Sequence, residues 1–475
     1  MTESNNIQLS DQLRILDENI LTIDDFESIK IYLTETNPPE FTNQKLLNYK
    51  SANPPNHEVN ITDEIEVFVT SDIHADYRKF VQILVAGGFI RIPNDIGDLY
   101  KGNNIYNYRI IAECEWIKSN CLIVIAGDLV DGNRPGSKTN SSKNNNGNQN
   151  EYNVDDKNGC FELFIHMLIF NLRIKGQKIN SNILFTIGNH DLETVIVNSD
   201  LLYDYIHETS LLFFRNKDNR SRILKEFYEL NPYIYIVLST PNIKNEVVIL
   251  HGGLHDQNGQ EFDKNGLREL QLNINKKGLE QITLNDPASY SVVFKNDTGS
   301  YDGALWTRFY AEQPQETCSR LYKKSDYALT VVGHCPTNLF SRLSNILDKP
   351  NYNGCDSYRK IKTKGCVILN CLENPNSPGL PRIALVDASI SSAFASLLGR
   401  RREHEKVRGI ELLHLKHVDR NTTRWFNDIS RFEINFNSNT TLDIRPSQTG
   451  GSKNYKDKYY IYKAKYINLM KNLKI

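Results

Sequence analysis

The omissions in this sequence narrow its possible roles before any motif is considered. No uninterrupted apolar run approaches the ~20 residues that span a bilayer, and the opening MTESNNIQLSDQ has no basic stretch leading into an apolar one. Both omissions point to a soluble, intracellular chain with no membrane association. The 8 cysteines include no CxxC pair and no even spacing, which argues against a disulfide frame and fits free thiols in a reducing compartment. A net charge of −1 over 475 residues leaves no overall field to draw in nucleic acid or an anionic surface. No internal repeat is apparent.

What is present is ordinary in bulk and uneven along the chain. Apolar residues make up 39% and charged residues 24%, proportions that exclude disorder throughout. Residues 400–475 hold 17 Lys and Arg against 8 Asp and Glu, so the tail is basic and the body acidic. Lys and Tyr interleave in YKDKYYIYKAKY, a pattern able to contact nucleic acid through charge and stacking. The alternative for this tail is a basic helix or a solvated helical or β-hairpin appendage on the acidic body.

Three segments follow from these shifts. Residues 1–62 mix short helical patterns such as DDFESIKIYL with proline-rich links, and read as an N-terminal helical extension. Residues 63–399 alternate strand-like apolar runs (IEVFVT, CLIVIA, NILFTI, VVIL, LTVVG, CVILN, RIALV) with amphipathic stretches such as FELFIHMLIFNLRIK, which indicates an α/β fold. Residues 400–475 are a basic C-terminal extension. Within the central segment, 133–159 is rich in Asn, Ser, Gly and Lys, with almost nothing to bury, and reads as a disordered insertion.

Polar residues stand where the apolar runs stop. Asp72 and His74 follow VFVT, Asp128 and Asp131 follow LIVIA, Asn189 and His190 follow LFTI, His251 follows VVIL, and His334 follows LTVV. The carboxyl ends of strands in an α/β sheet share one rim, where ligands bind, so these residues have a reason to converge. Carboxylate, amide oxygen and imidazole suit Mn, Fe or Zn, and a shared carboxylate can bridge two such ions in phosphoryl displacement.

In this order SDIH, GDLVD, GNHD, HGG and GH resemble the five signature blocks of the calcineurin-like metallophosphoesterases, over about Val67 to Phe394. HGGL and ALWTRFY are similar to the phosphoprotein phosphatase branch, bacterial-type members included, and RIALVDASISSAF to its closing strand and turn. The resemblance implies a metallophosphoesterase-type β-sandwich flanked by helices, with the metal site at the carboxyl ends of strands. It implies two divalent or mixed-valence metal ions, one held by Asp72, His74 and a bridging Asp128, the other by Asp128, Asn189, His251 and His334. His190 becomes the acid beside the leaving group, supported by Asp131.

The implied activity is hydrolysis of a phosphorylated substrate, protein or small molecule, by a metal-activated water, in the manner of a Ser/Thr phosphoprotein phosphatase. A dinucleoside polyphosphate hydrolase or phosphodiesterase is the enzymatic alternative, and a metal-binding scaffold with reduced catalysis the non-enzymatic one. The chain departs from the branch at Gly132, where an arginine that grips phosphate is usual. Arg308 and Arg134 are the remaining candidate clamps, because a guanidinium fork matches phosphate oxygens.

Overall fold

The computed structural model describes residues 17–34, 43–53, 55–62, 64–96, 108–131, 161–192, 195, 217–240, 246–254, 263–277, 303–312, 326–334, 357–358, 367–370, 383–387, 409–419 and 424–433. The insertion 133–159 and the Lys/Tyr-rich tail from 434 onward lie outside them. Among the described residues no helix is long and apolar enough to cross a membrane.

The strands are β1 (Glu58–Asn60), β2 (Glu66–Thr70), β3 (Ile90–Arg91), β4 (Glu115–Trp116), β5 (Cys121–Ile125), β6 (Asn182–Phe185), β7 (Tyr235–Ser239), β8 (Val247–Leu250), β9 (Leu329–Val332), β10 (Ser357–Tyr358), β11 (Val367–Asn370), β12 (Ile383–Leu385), β13 (Gly409–Asp419) and β14 (Arg424–Glu433). They form a seven-stranded sheet in the order β1-β7-β8-β9-β12-β11-β10, a five-stranded sheet in the order β14-β13-β2-β5-β6, and a small β3-β4 pair. β2, β5 and β6 run parallel, as do β8, β9 and β12.

The period-2 geometry of strands explains how the two sheets are held. Val67, Val69, Leu122 and Val124 of the five-stranded sheet form one buried cluster with Ile249, Val331 and Ala384 of the seven-stranded sheet. The alternate residues Phe68, Ile123 and Ile125 join a second cluster with Phe164, Leu168 and Leu172 of the helix Phe161–Gln177. Both faces of β2 and β5 are thus covered, which is why they read as nearly continuous apolar runs.

The segment boundaries expected at 62 and 399 fall among elements of these same sheets. β1 pairs with β7, and β13, the stretch that composition suggested as a basic helix or an appended hairpin, pairs antiparallel with β2 from Leu413↔Val69 to Lys416↔Glu66. Leu412, Leu413 and Leu415 are buried, and charge count hid them. At the other end, the Leu21 amide donates to Asn171 Oδ1 (2.8 Å) and Asn171 Nδ2 donates back to the Leu21 carbonyl (3.1 Å). Phe26 packs on Phe164 and Tyr49 on Phe170, so the N-terminal helices Ile23–Thr34 and Gln44–Ala52 cover the long helix.

That long helix buries a histidine. The His166 ring lies among Phe185, Phe227 and Tyr228 while Nδ1–H donates to the Glu162 carbonyl (2.7 Å). Burial pushes its pKa down from 6.5 to about 4. A depressed folded-state value means the associated stability is present above pH 6.5 and is lost as pH falls through 4. The expected outcome is that wild type loses about 3 kcal/mol more than His166→Phe between pH 7 and pH 4 in urea unfolding. Parallel pH curves for the two proteins would show that His166 contributes no such loss.

Candidate metal centre

The loops after five strands meet where the two sheets come together at one end. The Ala126 amide donates to the Thr70 carbonyl (2.7 Å) and the Thr186 amide to the Ile125 carbonyl (2.9 Å), which brings the ends of β2, β5 and β6 level. From the other sheet, Gly333 approaches so closely that a Cβ there would lie 2.7 Å from the Ala126 carbonyl oxygen. Only glycine allows that approach.

The loops are then tied to each other, and the ties are unusual. The amides of Asp72, His74 and Ala75 donate to the carbonyls of Gly127, Asp128 and Leu129 at 3.1, 2.9 and 2.8 Å, a backbone-to-backbone splice of SDIH onto GDLVD. Asp72, His74, Ala75, Asp128, Asp131 and His334 all adopt left-handed backbone, with φ between 45° and 64°. Each such residue costs on the order of 1 kcal/mol, so the surrounding bonds must hold it there.

The side chains converge. Asp72, His74 and Asp128 present ligand atoms within 4.8 Å of one another, and so do Asp128, His251 and His334. Asp128 belongs to both groups through one oxygen: Oδ2 lies 3.6 Å from His74 Nε2 and 3.3 Å from His251 Nε2, while Oδ1 accepts from the His190 amide at 3.0 Å. Asp72 divides its oxygens similarly, with Oδ2 accepting from the His334 amide (3.0 Å) and Oδ1 standing 3.5 Å from His74 Nε2. All six residues, Asn189 included, are buried.

The donor set fits a pair of cations. His251 Nδ1–H donates to the Ala126 carbonyl (2.8 Å), which leaves Nε2 as the atom facing Asn189 Oδ1 at 2.8 Å and Asp128 Oδ2. His74 follows the same pattern, with Nδ1 on the Asp131 carbonyl (3.2 Å) and Nε2 toward two carboxylates. Lone pairs that converge in this way require a positive charge between them. The same convergence shows in the electrostatics of His251: burial pushes the imidazole down, but Asp128 and Asp72 outweigh burial and raise it to about 9. Burial likewise pushes Asp128 up, and His251, His190 and His74 together hold it well below the usual carboxylate range.

The neighbouring residues take distinct positions. His190 Nδ1 bonds Asp131 Oδ2 at 2.6 Å, beside the cluster and edge-on to the His74 ring. Arg308 is exposed at the rim, with Nε 3.2 Å from His334 Nε2, and burial and this guanidinium together hold the His334 pKa well below 6.5. Arg134 and Gly132 lie outside the described residues.

Sequence reasoning passed over Asp191, which is fully buried. Its carboxylate accepts from the amides of Asp128 (2.9 Å), Leu129 (2.9 Å), Val130 (3.2 Å) and Gly188 (2.8 Å) and from the Tyr228 hydroxyl (2.6 Å). Burial and the Asp128 carboxylate push Asp191 up to about 6. It was visible as the last letter of GNHD, but nothing in the spacing says that it holds the other loop.

The comparisons agree with this geometry. A profile of the calcineurin-like phosphoesterase family matches residues 65–351. Shewanella-like protein phosphatase 1 of Plasmodium berghei (strain Anka) is 26% identical over 275 residues, covering 54% of this chain and 64% of that protein, so the chain spans a little under two thirds of its relative. A cold-active protein-tyrosine phosphatase of a psychrophilic Shewanella species (12% identity, TM-score 0.42, 83% and 87% of the two chains) is a loose structural likeness. A protein serine/threonine phosphatase from Saccharomyces cerevisiae (12%, 0.38, 88% and 92%) is another, and neither carries an argument at such scores. On the profile match, which takes in more than half of its residues, this chain belongs to the calcineurin-like phosphoesterases.

Proposed function

We propose that the chain is a phosphoprotein phosphatase of the Ser/Thr type, with Asp72, His74, Asp128, Asn189, His251 and His334 holding two divalent ions of Mn, Fe or Zn. The observation that carries this is Asp128 Oδ2, a single oxygen within 3.6 Å of imidazole nitrogens from both groups. Bound ions there would supply Lewis acidity toward the phosphoryl group and a nucleophilic water at neutral pH.

The protein's own residues do the rest. Asp131 accepts the Nδ1 proton of His190, which leaves Nε2 as the atom that delivers a proton to the departing oxygen. Arg308, whose guanidinium already stands beside the cluster, binds phosphoryl oxygens in the absence of an arginine at position 132. The catalytic unit takes in β1 and β13 as well as 63–399, since both are members of its sheets.

The name of the Plasmodium relative favours a phosphoprotein substrate, while Gly132, where a phosphate-gripping arginine is usual, argues against tight phosphoprotein recognition and for the alternatives, a binding scaffold among them. Full-length protein loaded with Mn²⁺ should hydrolyse a phosphoserine peptide faster than diadenosine tetraphosphate or a bis-ester. Arg308→Ala should raise KM for the peptide about tenfold. Preference for the diester would remove the phosphatase reading, and no turnover with full metal content would leave a binding scaffold.

A further inference from the structure

Outside the cluster, one buried ion pair has no part in holding ions or phosphate. Glu162, in the first turn of the helix Phe161–Gln177, is gripped by Arg220 of the helix Lys217–Glu229, with Nε on Oε2 (2.8 Å) and one terminal nitrogen on Oε1 (2.8 Å). Both residues are buried, at 8% and 3% exposure. Replacing such a pair by well-packed apolar groups is often neutral for stability, so stability alone does not account for it.

The pair is attached to the site through a backbone amide. Glu162 Oε1 accepts the backbone N–H of Asp131 at 2.9 Å. Asp131 is therefore held at three places: its amide by Glu162, its carbonyl by His74 Nδ1 (3.2 Å), and its carboxylate by His190 Nδ1 (2.6 Å). Its backbone is left-handed, with φ 64°, a conformation from which it gains by relaxing. Freed at the amide, it would carry its carboxylate away from His190.

We infer that Glu162 and Arg220 are positioning residues for proton delivery: through the Asp131 amide they fix the carboxylate that orients His190. This rests on the assignment of His190 as the proton donor made above. The pair touches neither substrate nor the candidate metal ligands, so its loss should fall on the protonation of the leaving group.

The test compares leaving groups in the full-length, Mn²⁺-loaded protein. A poor leaving group such as phosphoserine needs the proton, whereas 2,4-dinitrophenolate departs without it. Glu162→Met/Arg220→Met is expected to lower kcat about 30-fold on a phosphoserine peptide and less than twofold on 2,4-dinitrophenyl phosphate, with metal content unchanged. Arg220→Lys, which keeps a cation in the pocket, should lose only a fraction of this. In the same full-length protein loaded with diamagnetic Zn²⁺ instead, the downfield proton resonance of the His190–Asp131 bond, assigned by its loss in Asp131→Ala, should shift or broaden in the double variant. An equal fall on both substrates, or an unmoved resonance, overturns the inference. Wild type inactive on every phosphate ester overturns the functional reading instead, and the resonance still reports on the pair.

Discussion

Asp128→Asn is expected to lower kcat for a phosphate monoester by about three orders of magnitude and to leave the chain unable to hold its full complement of metal. The substitution is nearly isosteric, and an amide oxygen can still accept from the His190 amide, as Asp128 Oδ1 does at 3.0 Å. What it removes is the charge on Oδ2, the atom that faces both His74 and His251. Three imidazoles already hold this carboxyl ionised against burial, so the charge is what the site is arranged to keep. Elemental analysis beside steady-state kinetics decides the matter. Unchanged metal and unchanged rate would show that Asp128 bridges nothing.

Asp191→Ala should cost roughly 4 kcal/mol of folding stability, the largest single-residue loss expected here. Four buried amides and one hydroxyl give their hydrogen bonds to this carboxylate, and three of the amides, those of Asp128, Leu129 and Val130, belong to the loop that carries Asp128. No water reaches Leu129 or Val130 to replace them, since both are fully buried. Asp191→Asn separates hydrogen bonding from packing: it preserves volume but presents an NH₂ to amides that are themselves donors. It should therefore lose nearly as much as alanine, whereas Tyr228→Phe, which deletes one donor, should lose about 1 kcal/mol. Urea midpoints for the three variants give the ranking, and an asparagine variant as stable as wild type would mean that shape alone matters at this position.

The candidate site was legible in the sequence because its chemistry is concentrated where apolar runs stop. VFVT, LIVIA, LFTI, VVIL and LTVV are β2, β5, β6, β8 and β9 with their flanks, and the polar residues after them share one end of the sheets. That Asp72, His74, Asp128, Asn189, His251 and His334 lie at one rim followed from strand periodicity and the rule that strand ends share it, while their separation as ligands from Asp131 and His190 came from the resemblance. The residues that hold these loops were not legible. Asp191 and Glu162 act by accepting backbone amides, and any residue has an amide, so the partner leaves no mark in the sequence. Arg220 stands 58 positions from Glu162 on another helix, across the Asn/Ser-rich insertion and β6 from Asp131. β13 was obscured for a different reason: Lys416, His414 and Glu411 alternate with buried leucines in a stretch whose charge count suggested a solvated tail.

That last strand changes what counts as the smallest workable piece of the molecule. A fragment trimmed to residues 65–351 would part β9 from β12 and β2 from β13, uncovering two rows of hydrogen-bonding groups in the middle of the protein. Bare strand borders of that kind recruit other chains. The β13–β14 pair thus works as a seam along β2, in the sheet whose other strands lead to Asp72, Asp128 and Asn189.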